Sequence, residues 1–194
     1  MADFNQPITM EQRRAAMVAA IKANQIPLKP AVEAAFLHIP RHLFVPGVPV
    51  DVVYRDHVIV TRRDKDGVPL SSSSQPSVMA RMLNALDVRQ GQHVLEIGAG
   101  SGYNAAMLAE LVGLDGQVTT VELDAEIAEG AVTHLSRAGY KDVHVITGDG
   151  AEGQAAQAPY DRIISTTSVW DLPPAWEDQL VPDGILVSAL YFGG

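Results

Sequence analysis

The sequence of 194 residues contains no cysteine. A chain without thiols forms no disulfides, uses no thiolate nucleophile and binds no zinc or iron through sulfur. A long apolar run is also missing near the N-terminus, where the stretch 15–21 is too short for a spanning helix or a signal peptide. His38 and His42 have a metal-ligand spacing, but Pro40 lies between them and no third ligand is evident. We therefore expect a soluble cytoplasmic protein with no metal site.

Positive charge is scarce, because 14 lysines and arginines stand against 23 acidic residues and leave a formal net charge of −9. This balance argues against binding to a nucleic-acid backbone and, more weakly, to an anionic membrane. The hydrophobic fraction of 47% is ordinary for a chain that buries a core. A chain of this length predicts one domain with at most a short addition.

From Pro76 onward, short apolar strands alternate with helical patterns. Strands are predicted at 93–97, 117–121, 143–146, 162–164 and 184–187, with helices at 78–86, 105–112 and 127–135. This alternation predicts an α/β fold with a doubly wound, mostly parallel, Rossmann-like sheet. A bare edge beside the fifth strand would be an aggregation hazard, so we expect a C-terminal region or a partner to cover it.

The first part of the chain has a different character. Helices are predicted from Thr9 to Asn24, where Thr9 and Gln12 form a capping box, and from Pro30 to about Pro40. Residues 45–75 are rich in loop signals, with at most short strands around 58–60. We therefore divide the chain into an N-terminal helical and loop region, 1–75, that completes the active site, and a cofactor-binding domain, 76–194, that lacks its last strands.

The strongest motif is Glu96-Ile97-Gly98-Ala99-Gly100-Ser101-Gly102, between a predicted strand and a predicted helix. Glycines let the backbone approach a ligand closely. A dinucleotide fold is the rival, but its G-x-G-x-x-G pattern needs glycine at position 103, which is Tyr103. The G-x-G-x-G pattern suits S-adenosylmethionine. Glu122, which ends the next strand, suits ribose hydroxyls, and Asp149 ends the third strand, where an acceptor can meet the adenine amino group.

Several further motifs occur in one order along the chain. They are Ile39-Pro40-Arg41-His42-Leu43-Phe44-Val45-Pro46, Tyr54-Arg55-Asp56, Ser74-Gln75-Pro76, the glycine loop, Gly148-Asp149-Gly150 and Pro159-Tyr160-Asp161-Arg162-Ile163-Ile164. In this respect residues 12–190 resemble the protein-L-isoaspartate O-methyltransferase family. The resemblance implies a class I S-adenosylmethionine-dependent methyltransferase fold and S-adenosylhomocysteine as product.

The resemblance also implies roles for particular residues. Ser74 takes an active-site position at the junction of cofactor and substrate. The implied cofactor contacts are Ser72, Ser73, Ser74, Gly98, Gly100, Ser101, Glu122, Leu123, Asp149 and Gly150. A carboxylate acceptor needs no general base because it is already ionised at neutral pH. Ser74 would hydrogen-bond that carboxylate, although it could instead cap the helix that opens at Pro76.

The substrate stays open at this point. Aspartyl or isoaspartyl carboxylates of peptides or proteins are expected, with succinimide formation as the downstream step. However, the segment 57–73 is longer and more charged than the family's compact loop. The serine run also looks most like the branch associated with lanthipeptides, which suggests one dedicated precursor peptide. A further alternative is a cofactor-binding module that is inactive without a missing C-terminal part.

Overall fold

The computed structural model describes residues 8–191. Within this range the α-helices are Met10–Ala23 (α1), Pro30–His38 (α2), Val50–Val53 (α3), Pro76–Leu86 (α4), Tyr103–Val112 (α5), Ala125–Ala138 (α6) and Pro174–Asp178 (α7). The strands are Ile59–Arg63 (β1), Pro69–Ser73 (β2), His93–Ile97 (β3), Gln117–Glu122 (β4), His144–Thr147 (β5), Tyr160–Val169 (β6) and Leu180–Leu190 (β7). Short 3-10 helices lie at Arg41–Phe44, Gly150–Glu152 and Ala155–Gln157.

The main sheet has five strands in the order β5-β4-β3-β6-β7, and every neighbouring pair is parallel. The chain runs outward from β3 to β5 and then returns to place β6 on the other side of β3. The strand order therefore reverses between β3 and β6, and ligands of such sheets bind at the carboxyl ends beside this point. The predicted parallel α/β fold with an N-terminal helical addition is confirmed.

Apolar side chains cover both faces of the sheet. Along β3, Val94 packs into a core cluster with α1, α2, α4 and α5, whereas Leu95 packs into a cluster on the other face with Trp176 of α7. Successive residues of a strand point to opposite faces, so a strand buried on both faces needs a continuous apolar run. The N-terminal helices share the larger cluster with the sheet.

The N-terminal capping box is present as predicted. The Thr9 side chain accepts a hydrogen bond from the Gln12 amide at 3.1 Å, and the Gln12 side chain accepts one from the Thr9 amide at 2.8 Å. These two bonds satisfy amides that the first turn of α1 leaves free.

The segment predicted as mostly loop is instead an antiparallel hairpin of β1 and β2. Its turn is closed by Asp64, whose amide donates to the Val68 carbonyl at 2.9 Å and whose carboxylate accepts from the Asp66 and Val68 amides. Serine and arginine are weak signals for a strand, and the pairing depends on contacts that the local sequence does not reveal.

In residues 8–191, no helix combines the length and the apolar character that crossing a membrane requires.

Candidate active site

The glycine loop joins β3 to α5 through left-handed backbone conformations. Gly98, Gly100 and Gly102 have φ angles of 92°, 51° and 84°, which side chains rarely permit. A Cβ at Gly98 would also lie 2.6 Å from the Thr167 methyl group. The Thr166 hydroxyl donates to the Gly98 carbonyl at 2.8 Å. The end of β6 therefore fixes the start of the loop.

Two carboxylates stand at neighbouring strand ends. Glu122, the last residue of β4, accepts the Gly100 amide at 2.9 Å and the Asp124 amide at 3.3 Å. Asp149 follows β5 and accepts the Ala151 amide at 2.9 Å. Both positions were selected from the sequence, and the parallel register brings them to the same edge of the sheet.

Two cavities lie along this edge. The first, of about 180 Å³, is lined by Leu70, Ser71, Ser72, Ser73, Ser74, Met79, Gly98, Ala99, Gly100, Ser101, Tyr103, Asn104, Glu122, Thr166 and Thr167. The second, of about 310 Å³, is lined by Ile97, Gly98, Val121, Glu122, Leu123, Asp149, Gly150, Ala151, Thr167, Val169, Pro173 and Trp176. Gly98, Glu122 and Thr167 line both, so the cavities are neighbouring parts of one cleft. Every predicted cofactor residue lines one or both of them.

The chemistry of the cleft matches the parts of S-adenosylmethionine. The second cavity is largely apolar and has Asp149 at its wall, which suits a flat purine ring with an amino group. The first is lined by serines and the glycine loop, which suits the polar amino-acid end. Glu122 lies at the junction, where an acidic acceptor can bind ribose hydroxyls. The residues present therefore fit this cofactor.

Sequence reasoning did not assign Trp176 to the site. The side chain is buried, it lines the second cavity, and its indole N–H donates to the Gly150 carbonyl at 2.8 Å. Trp170 is instead 77% exposed and stacks edge-on against Tyr191. The two tryptophans looked alike in sequence because both flank a Pro-Pro pair, and only the folded chain separates them.

Ser74 is half-buried and lies in the wall of the first cavity, immediately after β2. It does not cap α4, because Gln75 holds the N-cap position and makes no side-chain capping bond. Asp56 performs this task from a distance, since its carboxylate accepts the Ser77 amide at 2.8 Å. Within the described residues the Ser74 hydroxyl makes no hydrogen bond, and so it is free to meet a ligand.

Glu96, two residues before the first glycine of the loop, is fully buried. Burial raises the pKa of its carboxyl from 4.5 to about 7, and the neighbouring Glu122 adds to this, whereas hydrogen bonds from Thr120 and Asn104 oppose it. Both donors lie 2.7 Å from a Glu96 oxygen. Asn104 lines the first cavity, so Glu96 supports the cleft from behind.

The two arginines of the hairpin have partners within the chain. Arg62 forms an ion pair with Glu126 of α6 at 2.6 Å, and Arg63 donates to the Gly67 carbonyl at 2.7 Å. The two histidines considered for metal binding have separate partners: His38 contacts Glu110 at 3.0 Å, and His42 contacts the Tyr54 hydroxyl at 2.7 Å.

Comparison with known families gives one matching profile, described as protein-L-isoaspartate(D-aspartate) O-methyltransferase, over residues 12–190. The protein-L-isoaspartate O-methyltransferase of Methanococcoides burtonii is 40% identical over 171 residues, which cover 88% of this chain and 80% of the relative. That of Ignicoccus hospitalis is 37% identical over 181 residues, which cover 92% of this chain and 82% of the relative.

Solved structures show the same similarity. A protein-L-isoaspartate O-methyltransferase structure superposes with a TM-score of 0.83 at 35% identity, and the match covers 91% of this chain and 55% of that chain. The present chain therefore spans about half the length of that protein. A second structure, described as a putative protein-L-isoaspartate O-methyltransferase from Plasmodium falciparum in complex with S-adenosyl-L-homocysteine, has a TM-score of 0.77. Its match covers 92% of this chain and 84% of that chain, and its identity of 17% supports the fold alone.

Proposed function

Because the chain belongs to the protein-L-isoaspartate(D-aspartate) O-methyltransferase family, we propose that it transfers a methyl group from S-adenosylmethionine to a peptide or protein carboxylate. The acceptor is the free carboxylate of an aspartyl or isoaspartyl residue. The observation that carries the proposal is the cleft, in which Glu122 joins an apolar cavity to a polar one and Ser74 lies in the polar wall.

Each part of the cleft has a task in this proposal. Glu122 binds the ribose hydroxyls, Asp149 accepts from the adenine amino group, and Trp176 with Leu123 lines the apolar slot. The serine run and the glycine loop hold the amino-acid end, with Ser72, Ser73 and Ser101 as polar contacts. When bound, the cofactor supplies a methyl group on a positively charged sulfur.

The protein's contribution to rate is orientation and the exclusion of water. A carboxylate is already ionised near pH 7, so no side chain has to remove a proton from it. The free hydroxyl of Ser74 donates to one acceptor oxygen and aims the other toward the methyl group. Holding two reactants in register in a site shielded from water is a sufficient source of catalysis for this reaction.

The Ser74 hydroxyl provides the direct test. Ser74→Ala should slow methyl transfer to a short isoaspartyl peptide, because one hydrogen bond to a charged group is lost. The activation free energy should rise by about 1–3 kcal/mol. Ser74→Thr keeps the hydroxyl and should restore most of the turnover. Mass spectrometry of the methyl ester gives the rates, and thermal unfolding gives the stability of each variant.

Three results would count against this proposal. If Ser74→Ala unfolds most of the protein but the molecules that stay folded keep full turnover, the serine has a structural role only. Tight NAD binding without any response to S-adenosylhomocysteine would remove the cofactor assignment. S-adenosylhomocysteine binding without transfer to any aspartyl or isoaspartyl peptide would favour the alternative of a binding module that needs a further segment.

A second candidate is the same chemistry on one dedicated peptide, as in the lanthipeptide-associated branch. The hairpin favours it, because β2 lines the first cavity and the charged turn 64–68 extends beyond it. The exposed side chains of Val68 and Leu70 add apolar surface to the charged hairpin, and a peptide substrate could pack against this surface. A general repair enzyme needs to contact only backbone and carboxylate, whereas a dedicated enzyme gains from such additional contacts.

Shortening the hairpin separates the two candidates. Residues 64–67 are replaced by an Asn-Gly turn, which leaves β1, β2 and the Arg62–Glu126 pair in place. We expect weak turnover of short generic isoaspartyl peptides by the natural chain, and loss of turnover of a dedicated modified peptide when the hairpin is shortened, with S-adenosylhomocysteine affinity unchanged. Efficient methylation of several unrelated isoaspartyl peptides, unaffected by the shortening, would identify general repair.

The sheet edge and the cellular location belong to the same proposal. On its outer side, β7 pairs with no other strand among residues 8–191. A further segment or a partner that pairs with β7 would protect it, as expected from the sequence. The acidic, cysteine-free composition supports a cytoplasmic location.

A further inference from the structure

The motif Ile39–Phe44 is not explained by the cofactor cleft. In the structure it forms a short 3-10 helix that begins after Pro40. Ile39 and Phe44 are fully buried in the larger core cluster, as their apolar character predicts. Arg41 is fully buried as well, although a cation in a protein interior has a large desolvation cost. Such a residue needs a compensating set of partners.

The partners of Arg41 are backbone carbonyls rather than a carboxylate. Its two terminal nitrogens donate to the carbonyls of Val53, Arg55, His57, Ser73 and Ser74 and to the Ser73 hydroxyl, at distances between 2.9 and 3.5 Å. The guanidinium carbon also lies 5.7 Å from the centre of the Tyr103 ring. Burial lowers the pKa of Arg41, and the nearby Tyr103 and Asp56 oppose that change.

These bonds join two segments that are distant in sequence. One is 53–57, which runs from the end of α3 toward the hairpin, and the other is 73–74, where the hairpin ends in the cavity wall. The bond to the Ser74 carbonyl, at 2.9 Å, equals the shortest of the set. The backbone of Ser74 determines where its hydroxyl stands, and Arg41 is the charged group that fixes this backbone.

We propose that Arg41 is a positioning residue for the acceptor, because its guanidinium holds the Ser73–Ser74 backbone and so keeps the Ser74 hydroxyl in the cavity wall. This inference rests on the proposed function, in which Ser74 meets the acceptor carboxylate. Arg41 itself does not line either cavity of the cleft. It therefore acts through Ser74 and not on the reacting atoms.

The planar fork of arginine is essential to this arrangement. Its terminal nitrogens reach carbonyls on both segments at once, whereas a lysine ammonium is a single point with donors that diverge from it. Arg41→Lys therefore keeps the charge but loses the simultaneous contact. Even a small misplacement of a group near the reacting atoms can lower the rate about a hundredfold.

Arg162 offers a matched control in the same chain. It is also buried, and it donates to the carbonyls of Leu86, Asp87 and Asp161 at 2.8–3.4 Å. It lies near the start of β6, at the end of the sheet opposite the cleft. Arg162→Lys thus breaks the same kind of carbonyl network without touching Ser74.

The experiment compares Arg41→Lys and Arg162→Lys with the natural chain. Backbone hydrogen exchange is measured for residues 70–77, and steady-state constants are measured with S-adenosylmethionine and a short isoaspartyl peptide. We expect both variants to have a lower midpoint temperature of thermal unfolding than the natural chain. Only Arg41→Lys should exchange faster in 70–77 and lose about tenfold or more in kcat/KM for the peptide when S-adenosylmethionine is saturating. The KM for S-adenosylmethionine should rise as well, because the same backbone carries Ser72 and Ser73.

Wild-type peptide constants in Arg41→Lys, or an equal loss in Arg162→Lys, would overturn the proposal. An Arg41→Lys protein that no longer shows a cooperative thermal unfolding transition would overturn it too, because the residue would then serve the whole fold. If the natural chain methylates no isoaspartyl or aspartyl peptide, the proposed function fails and the acceptor part of this inference fails with it. Faster exchange in 70–77 alone would still support the anchoring of that backbone by Arg41.

Discussion

Glu122 combines two tasks in one carboxylate. One oxygen accepts the Gly100 amide at 2.9 Å and so ties β4 to the glycine loop. The other is 3.3 Å from the Asp124 amide, a weak bond that leaves capacity for further donors. Glu122 should therefore affect cofactor affinity in two ways: indirectly, because it holds the glycine loop, and directly, because it lines both cavities.

Glu122→Ala should weaken S-adenosylhomocysteine binding by about 1–3 kcal/mol, because a charged acceptor is lost. Glu122→Gln keeps an oxygen for the Gly100 amide and should lose less. Glu126→Ala is the control, since it removes the same charge from a side chain that does not line the cleft. Titration calorimetry measures all three, and equal affinity in Glu122→Ala and the natural chain would remove Glu122 from the site.

Some site residues could be found from sequence and others could not. Glu122 and Asp149 were visible because each ends a predicted strand, and parallel strands bring their ends to one edge. The sequence places Arg41 in a motif but gives no indication of its role, because its partners are backbone carbonyls, which every residue possesses. Trp176 could not be found from the sequence, because its hydrogen bond to Gly150 joins α7 to the 3-10 helix at 150–152, and no local pattern connects these segments.

At the level of elements, α4 depends on a cap from outside its own sequence. Asp56 accepts the Ser77 amide at 2.8 Å, the Gln75 side chain at 3.2 Å and the Asn24 side chain at 2.7 Å. A carboxylate at a helix N-terminus satisfies free amides and interacts well with the helix dipole. The cap therefore links the end of α1, the hairpin base and α4.

Asp56→Ala should lower the free energy of unfolding by about 1–3 kcal/mol, because several donors lose one acceptor. Asp56→Asn keeps one carbonyl oxygen and should cost less. Asp115→Ala, at an exposed position where the carboxylate has no bonding partner among residues 8–191, serves as the control and should change stability by under about 0.5 kcal/mol. Chemical denaturation measures the difference, and equal stability of Asp56→Ala and the control would contradict the capping role.

The elements differ in how well their sequences specify them. The strand β3 is a short apolar run buried on both faces, and its predicted bounds, 93–97, are those observed. By contrast, the sequence predicts a strand only at 162–164, whereas β6 extends to Val169. After a register shift at 166–167, Ser168 and Val169 pair with Ala189 and Leu190 of β7. In the hairpin, the short strand expected around 58–60 corresponds to the start of β1. The strand β2 is not predicted, because Ser71, Ser72 and Ser73 have little intrinsic preference for a strand.

For the molecule as a whole, the family, the parallel α/β fold and the S-adenosylmethionine-dependent methyltransferase class predicted from sequence are confirmed. The acceptor specificity and the individual site roles stay predictions. In the proposal of a dedicated peptide, specificity would depend on the hairpin, and no sequence motif encodes the contacts of that hairpin with a peptide.

The stability of the whole molecule should depend on the protonation of Glu96. Its folded pKa of about 7 lies above the ordinary 4.5, so the native state favours the protonated form. The stabilisation from this group is complete below pH 4.5 and is lost as the pH rises to about 7. Other carboxylates titrate in the same range, and a comparison with Glu96→Gln isolates this one.

Glu96→Gln should match the natural chain near pH 4.5 and exceed its stability near pH 8 by on the order of 3 kcal/mol. The amide oxygen can accept from Asn104, and the amide nitrogen can donate to the Thr120 hydroxyl, which can reverse its role. Urea unfolding of both proteins across this pH range provides the measurement. A difference that does not vary with pH would show that the Glu96 proton is not linked to folding.

The contrasting positions of the two tryptophans have an optical consequence. Trp176 is buried beside the second cavity of the cleft, whereas Trp170 is 77% exposed. The emission of an indole shifts toward the red as water surrounds it, so the two rings contribute separate bands. A purine that enters the second cavity would lie beside Trp176 and quench the blue band alone. The chain thus carries a built-in fluorescent reporter of occupancy, and cofactor binding can be followed in real time without any label.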